Sequence, residues 1–260
     1  MEAAFFDLDK TVITKASIAA YIPTLRKAGY LTAGMAVRAA WGHLLIRFFG
    51  SHENSLDRAR RTALRLATGL EQQALRRLVR DNLIDVIEPI VYDEALDLFK
   101  RHQDDGQILV LVSAAPFEIV EPLADHLGID KFIATTPVVD SEGRYTGEVE
   151  FYAYGNAKAD AIKEMAENLN LDLSHSWAYS DSVTDLPMLE VVGNPVAVNP
   201  DRELSQQAEQ RGWPILEFTH KVPLGDRIPI KRNWVLATVL TVLMGMAITA
   251  LIRRFNRQPE

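Results

Sequence analysis

Short apolar runs recur along the chain, and the first three lead into polar residues. Ala3-Ala4-Phe5-Phe6 ends on Asp7, Ile108 to Val112 ends on Ser113, and Trp177 to Tyr179 leads into Ser180 and Asp181; Val196 to Val198 is a fourth run. Runs of this length bounded by polar residues predict buried strands. Between them the apolar positions recur at helical spacing: Tyr92 to His102, Phe117 to His126 ahead of Gly128, Asn156 to Leu169, and Arg202 to Arg211. Pro137 to Tyr152 alternates about Ser141-Glu142-Gly143, the pattern of a β-hairpin. Strands alternating with helices predict an α/β fold with a mostly parallel sheet covered on both faces. Functional groups then belong at the carboxyl ends of the strands, where Asp7, Ser113 and Asp181 fall.

Two stretches depart from this rhythm. Residues 14 to about 90 lack strand alternation and are rich in Ala, Leu and Arg. Helices are expected there over Ile18–Ala28, Ala33–Phe49, Leu56–Ala67 and Glu71–Ile87, the last closed by Pro89. At the other end, Trp234 to Ile252 is nineteen residues without a charge, flanked by Lys231 and Arg232 before and Arg253, Arg254 and Arg257 after. As a helix rising ~1.5 Å per residue it would be about 28 Å long, close to the hydrocarbon thickness of a bilayer. A single-pass C-terminal membrane anchor is therefore expected. With no signal peptide at Met1-Glu2, the catalytic part would be cytoplasmic. Pro223, Gly225 and Pro229 mark a linker into the span.

The 260 residues carry a net charge of −7, which argues against a nucleic-acid partner. There are no cysteines, so disulfides, thiolate catalysis and cysteine zinc sites are excluded. The six histidines show no metal-binding spacing and no HExxH motif. What remains is carboxylate chemistry.

Four polar signatures stand in order: Asp7-Leu8-Asp9-Lys10-Thr11, Ser113, Lys158 in Gly155-Asn156-Ala157-Lys158, and Asp181 with Asp185 in Tyr179-Ser180-Asp181-Ser182-Val183-Thr184-Asp185. Each alone reads as a turn, a helix cap or a surface charge. Together they supply a nucleophile, an acid/base, a cation site and a phosphate clamp. A phosphate monoester repels a free carboxylate, so attack by Asp7 needs a divalent cation to screen charge, and Mg²⁺ suits oxygen ligands. Asp9 can protonate the leaving alkoxide and then deprotonate a water. Ser113 and Lys158 can bind the phosphoryl oxygens. Thr11, Thr184 and Asp185 fall to supporting roles in the loops.

These motifs resemble those of the haloacid dehalogenase (HAD) superfamily, in the phosphoserine-phosphatase-like branch, subfamily IB. Asp7-Leu8-Asp9-Lys10-Thr11 matches DxDxT, and Ser113, Lys158 and the Asp181/Asp185 pair match the other three motifs over roughly residues 3 to 218. The resemblance implies a Rossmann-like core from residues 1–13 and 91–218 and an all-helical cap over 14–90. A linker over 219–232, a transmembrane helix over 233–252 and a tail over 253–260 complete the division. It also implies Mg²⁺ held by Asp7, Asp181 and the backbone carbonyl of Asp9, and an aspartyl-phosphate intermediate.

The substrate is less defined. Where true phosphoserine phosphatases carry a glutamate for the substrate ammonium, this chain has Lys15-Ala16. Arg61 is a loose match to the cap arginine that grips the substrate carboxylate, and Ala114-Ala115 replaces the usual double glycine. Residues 10 to 52 hold six basic residues and no acid, with Tyr21, Tyr30, Trp41, Phe48 and Phe49 among them. That composition suits either the core of the cap or contact with a lipid phosphate, of phosphatidylglycerophosphate or lysophosphatidate type. The expected function is a Mg²⁺-dependent phosphomonoester hydrolase acting on a small phosphate ester or a lipid phosphate. A non-catalytic, membrane-tethered binding module is the alternative of another class.

Overall fold

A computed structural model of the chain describes residues 1–30, 64, 67–129 and 131–220. Residues Met1–Val222 form one compact unit and Pro223–Glu260 a second, and every described residue lies in the first. The helix expected over Ala33–Phe49, most of that over Leu56–Ala67, Arg61, and the span over 233–252 lie outside the described residues. Among those that are described, no helix is long and apolar enough to cross a membrane.

Among the described residues seven strands form one sheet: β1 (Ala3–Asp7), β2 (Ile108–Pro116), β3 (Lys131–Val139), β4 (Tyr145–Phe151), β5 (Trp177–Ser180), β6 (Asn194–Val198) and β7 (Ile215–Leu216). Their order is β4-β3-β2-β1-β5-β6-β7, parallel throughout except for the β3–β4 hairpin. β1 is thus central. All five of its residues are buried, Asp7 included, and the apolar run Ala3 to Phe6 suits a strand covered on both faces.

Among the described residues the helices are α1 (Ser17–Lys27), α2 (Gln72–Asp81), α3 (Leu83–Ile87), α4 (Asp93–Asp104), α5 (Phe117–Leu127), α6 (Asn156–Leu169), α7 (Leu186–Glu190) and α8 (Arg202–Arg211). One side of the sheet packs Phe5, Val110, Val112 and Ala178 against Ile162 and Ala166 of α6 and Met188 and Leu189 of α7. On α4, Phe99 and His102 meet Phe6 edge-on, and Phe6 stacks on Tyr179 with centroids 4.5 Å apart. Burying a side chain such as Phe6 contributes about 2–3 kcal/mol.

Three differences from the sequence pattern have local causes. The strand expected over Ile108–Val112 continues to Pro116, because Ser113 and Pro116 pair with adjacent residues of β3 across a bulge, so Ser113 lies within the strand instead of after it. The single helix expected over Glu71–Ile87 is two. At Asn82 the backbone leaves helical geometry (φ −115°, ψ 8°) while its side-chain amide donates to the Leu78 carbonyl. The short elements α7 and β7, too brief for a periodic signal, were not anticipated. The described residues between Thr14 and Ile90 form α1, α2, α3 and a 3₁₀ turn over Glu88–Ile90, with no strand of the sheet among them.

Candidate active site

Parallel register brings the polar signatures to one edge. Asp7 is level with Val112 of β2, one residue short of Ser113, and Phe6 is level with Tyr179 of β5, two residues short of Asp181. Parallel neighbours all end on the same side, so the three residues meet at the carboxyl edge without any long loop.

Lys158 arrives from the opposite direction. Gly155 precedes α6 with φ 57° and ψ −127°, a conformation open to glycine and strained for other residues. The turn places Lys158 in the first turn of α6, where it is buried. Its ammonium donates to Asp7 Oδ1 at 2.6 Å and to Asp185 Oδ2 at 2.8 Å. Ser180 Oγ also donates to Asp185 Oδ2, at 2.8 Å. Asp185 thus anchors Lys158 and closes the loop that begins at Asp181.

Asp9 lies in the turn after β1, half-buried, and its Oδ1 accepts the backbone N–H of Ser17 at 2.8 Å. Lys10 adopts φ 66°, and its exposed ammonium reaches Asp181 Oδ2 at 3.3 Å. Thr11 Oγ1 is buried and makes no hydrogen bond among the described residues. The turn is closed by the backbone instead, with the Val12 and Ile13 N–H groups donating to the Leu8 carbonyl. Ser113 Oγ accepts from the Ala115 N–H at 3.1 Å, which leaves its own proton available to a ligand. Thr184 donates through Oγ1 to Ser182 Oγ.

The electrostatics are unbalanced. Asp7, Asp9, Asp181 and Asp185 bring four carboxyl groups, Lys10 and Lys158 two ammonium groups. Burial pushes the Asp7 carboxyl well above the ordinary range. Lys158 opposes that, but Asp185 and Asp181 push it up again. Asp181 is raised to about 6, chiefly by burial and against the pull of Lys10. Asp9 is also raised, mainly by desolvation and against the Ser17 hydrogen bonds. Burial alone would lower Lys158, yet Asp7 and Asp185 more than offset it and hold the ammonium protonated. The edge therefore has room for further positive charge. No group of three or more His, Asp or Glu side chains among the described residues is spaced to hold a metal by itself. A cation here would bind two carboxylates, backbone carbonyl and water, a donor set that fits Mg²⁺.

Of the residues singled out in the sequence, Asp7, Lys158 and Asp185 are directly bonded, Asp181 is paired with Lys10 of the first motif, and Asp9, Ser113 and Thr184 stand in the adjoining loops and strand. Three participants carried no such signal. Ser180 looks like the last residue of a strand, Ser17 like a helix start, and Asp201 like the N-cap of α8, which it is. Only the folded chain shows Asp201 also accepting hydrogen bonds from Ser182 and Val183.

A family model of haloacid dehalogenase-like hydrolases matches residues 4–190. The chain is 45% identical over 227 residues to an "inhibition of morphological differentiation protein" of Streptomyces azureus, covering 87% of this chain and 82% of that one. A probable phosphatase of Mycobacterium tuberculosis is 42% identical over 262 residues (99% and 91%). A phosphoserine phosphatase of the same organism is 34% identical over 221 residues (83% and 70%). Among solved structures, a Bordetella pertussis protein of unknown function superimposes with a TM-score of 0.72 at 29% identity, covering 83% of this chain and 97% of that one. A phosphoserine phosphatase solved as a phospho-aspartyl intermediate analogue has the same fold, with a TM-score of 0.60 at 20% identity over 83% and 92% of the two chains. The four motifs, the central β1 and these matches agree: the chain belongs to the haloacid dehalogenase-like hydrolases, as an enzyme of their phosphatase branch.

Proposed function

We propose that the protein hydrolyses phosphate monoesters through an aspartyl-phosphate on Asp7, with Mg²⁺ bound at the edge of the sheet. The observation that carries this reading is the buried triangle in which a single ammonium, Lys158, serves both Asp7 and Asp185. A purely structural ion pair needs one carboxylate. A second, crowded against the first and raising its pKa, gives a group that gains from a further cation and from an incoming phosphoryl group.

Asp7 attacks phosphorus, forming the Asp7 O–P bond as the bond to the substrate oxygen breaks. The leaving alkoxide takes its proton from Asp9, whose carboxyl burial shifts toward the protonated form. Water then attacks the same phosphorus and gives a proton back to Asp9. The Asp7 O–P bond breaks, and phosphate and the free carboxylate are restored. Lys158 balances charge on Asp7 and on the phosphoryl oxygens, and Ser113 donates its hydroxyl to one of those oxygens. Asp7, Asp181 and the Asp9 carbonyl would hold Mg²⁺, which supplies Lewis-acid screening of the phosphoryl charge. Helices α1 to α3, inserted between β1 and β2, would act as the cap that shields the reaction from bulk water.

A small phosphate ester is the proposed substrate, in keeping with the relative named phosphoserine phosphatase. A second reading, a lipid phosphate, draws on the uncharged run Trp234 to Ile252, which would anchor the enzyme to a membrane with its catalytic part in the cytoplasm. One experiment tests both. The full chain is assayed for phosphate release from soluble esters, including O-phosphoserine, and from lysophosphatidate and phosphatidylglycerophosphate in vesicles, with and without EDTA. Release that stops with EDTA and returns with Mg²⁺ supports the mechanism, and activity indifferent to chelation refutes the metal role. A preference for vesicle substrates would move the assignment to lipids. Absence of turnover across the panel, with phosphate analogues still bound, would favour the binding module.

A further inference from the structure

The loop from Asp181 to Asp185 is held from two sides. On one, Asp185 is fixed by Lys158 and Ser180. On the other stands Asp201, in the turn after β6, outside all four motifs. Its backbone N–H donates to the Asp181 carbonyl at 2.7 Å. Its Oδ2 accepts from both Ser182 Oγ and the Val183 N–H, each at 3.0 Å. Its Oδ1 accepts the Leu204 N–H at 2.8 Å, which caps α8. Ser182 Oγ in turn accepts from Thr184. Asp201 therefore ties the start of the loop to the first turn of a helix, holding Asp181 through its backbone N–H and Ser182 and Val183 through its carboxylate.

An N-cap needs a single acceptor oxygen. The second oxygen of Asp201 is spent on the loop. The Asp181 side chain is paired with Lys10, whose own side chain is 63% exposed, so the firmer hold on Asp181 is at its carbonyl. We infer that Asp201 is a positioning residue for Asp181, setting the affinity of the divalent-cation site through the loop without touching substrate or the reacting atoms. This deepens the proposed function and rests on its assignment of Asp181 as a cation ligand. Partners behind a metal ligand typically govern affinity by about 10–100-fold.

The discriminating variant is Asp201→Ser, which keeps a capping oxygen for Leu204 and removes the oxygen that holds Ser182 and Val183. Mn²⁺ binding to the full chain is titrated by electron paramagnetic resonance, alongside the Mg²⁺ activation constant and the melting temperature. The expected result is a Mn²⁺ Kd raised about 10-fold or more, a parallel rise in the Mg²⁺ activation constant, and kcat at saturating Mg²⁺ within a few-fold of the parent. The melting temperature should change little. Ser182→Ala, which deletes one hydroxyl, should give a smaller rise of the same kind. Unchanged Mn²⁺ affinity in both variants overturns the inference, whatever happens to stability. A parent protein that binds no Mn²⁺ overturns it too, and identifies the underlying metal reading as the failure.

Discussion

Lys158 Nζ and Asp7 Oδ1 lie 2.6 Å apart although 151 positions separate them in the chain. The contact joins the first strand to the first turn of α6, and it favours the charged form of the proposed nucleophile against burial, which disfavours it. Asp7→Asn should reduce phosphate release to background while the protein stays folded. Burial already disfavours the charged form of Asp7, so a neutral amide of the same shape is tolerated. Circular dichroism and thermal melting check the fold. Retained turnover in a folded variant would remove Asp7 from its role.

Lys158→Met should behave differently. It leaves Asp7 and Asp185 facing each other with no buried counter-charge, an arrangement expected to cost about 3–5 kcal/mol of stability as well as activity. Denaturant unfolding of the two variants side by side tests the contrast. Equal stabilities would mean that the ammonium has no structural share.

Ser113 makes a smaller, separable contribution. Ser113→Ala removes the donor proposed for the phosphoryl oxygens and leaves the Ala115 N–H without its acceptor. A loss of roughly 10²-fold in kcat/KM is expected, with a stability change of about 1 kcal/mol. Steady-state kinetics would contradict this if kcat/KM stayed within two- or three-fold of the parent, roughly.

Gly193, at the entrance to β6, tests packing away from the chemistry. A Cβ built on it would sit 1.7 Å from the Ser174 carbonyl oxygen, and its N–H donates to the Leu173 carbonyl at 2.8 Å. The backbone must move to admit any side chain. Gly193→Ala should destabilise by about 3 kcal/mol, measured by denaturant unfolding. A melting profile superimposable on the parent's would show that the turn is loose.

Glu94 links acid stability to the end of the described chain. Desolvation would raise its pKa, but Oε1 accepts from the N–H groups of Thr219 and His220 and from the His220 ring, and the carboxyl is lowered to about 2. A depressed folded pKa contributes stability that is complete above the unfolded value of 4.5 and is lost as pH falls from there toward 2. Because the group is partly solvated, the contribution is on the order of 1 kcal/mol. The parent should lose this increment between those pH values, and Glu94→Gln should not. Parallel acid-denaturation curves would rule the clasp out as the source.

Much of this arrangement was readable before folding. The unbroken apolar run before Asp7 demanded a strand buried on both faces, and alternating strands and helices put Asp7, Ser113 and Asp181 on one edge. Asn156–Leu169 and Arg202–Arg211 match their helices residue for residue. Other features depend on contacts that no window of sequence contains. The bulge that draws Ser113 into β2 is set by register against β3, and the break at Asn82 by a side chain competing with the helix backbone. Asp201 carried the mark of a helix cap and nothing more. Its second oxygen acquired a partner only when β5 and β6 paired.

The central position of β1 bears on how the protein is made. This strand is synthesised before both of its neighbours: β2 begins at Ile108 and β5 at Trp177. Until β2 has been made Ala3–Phe6 has no native edge to pair with, so the nascent chain carries a sticky segment for several seconds at ~5–20 residues per second. Premature termination between those strands would release aggregation-prone fragments. Chaperone capture of this segment and slow, non-local folding are the expected companions of placing the proposed nucleophile on the innermost strand.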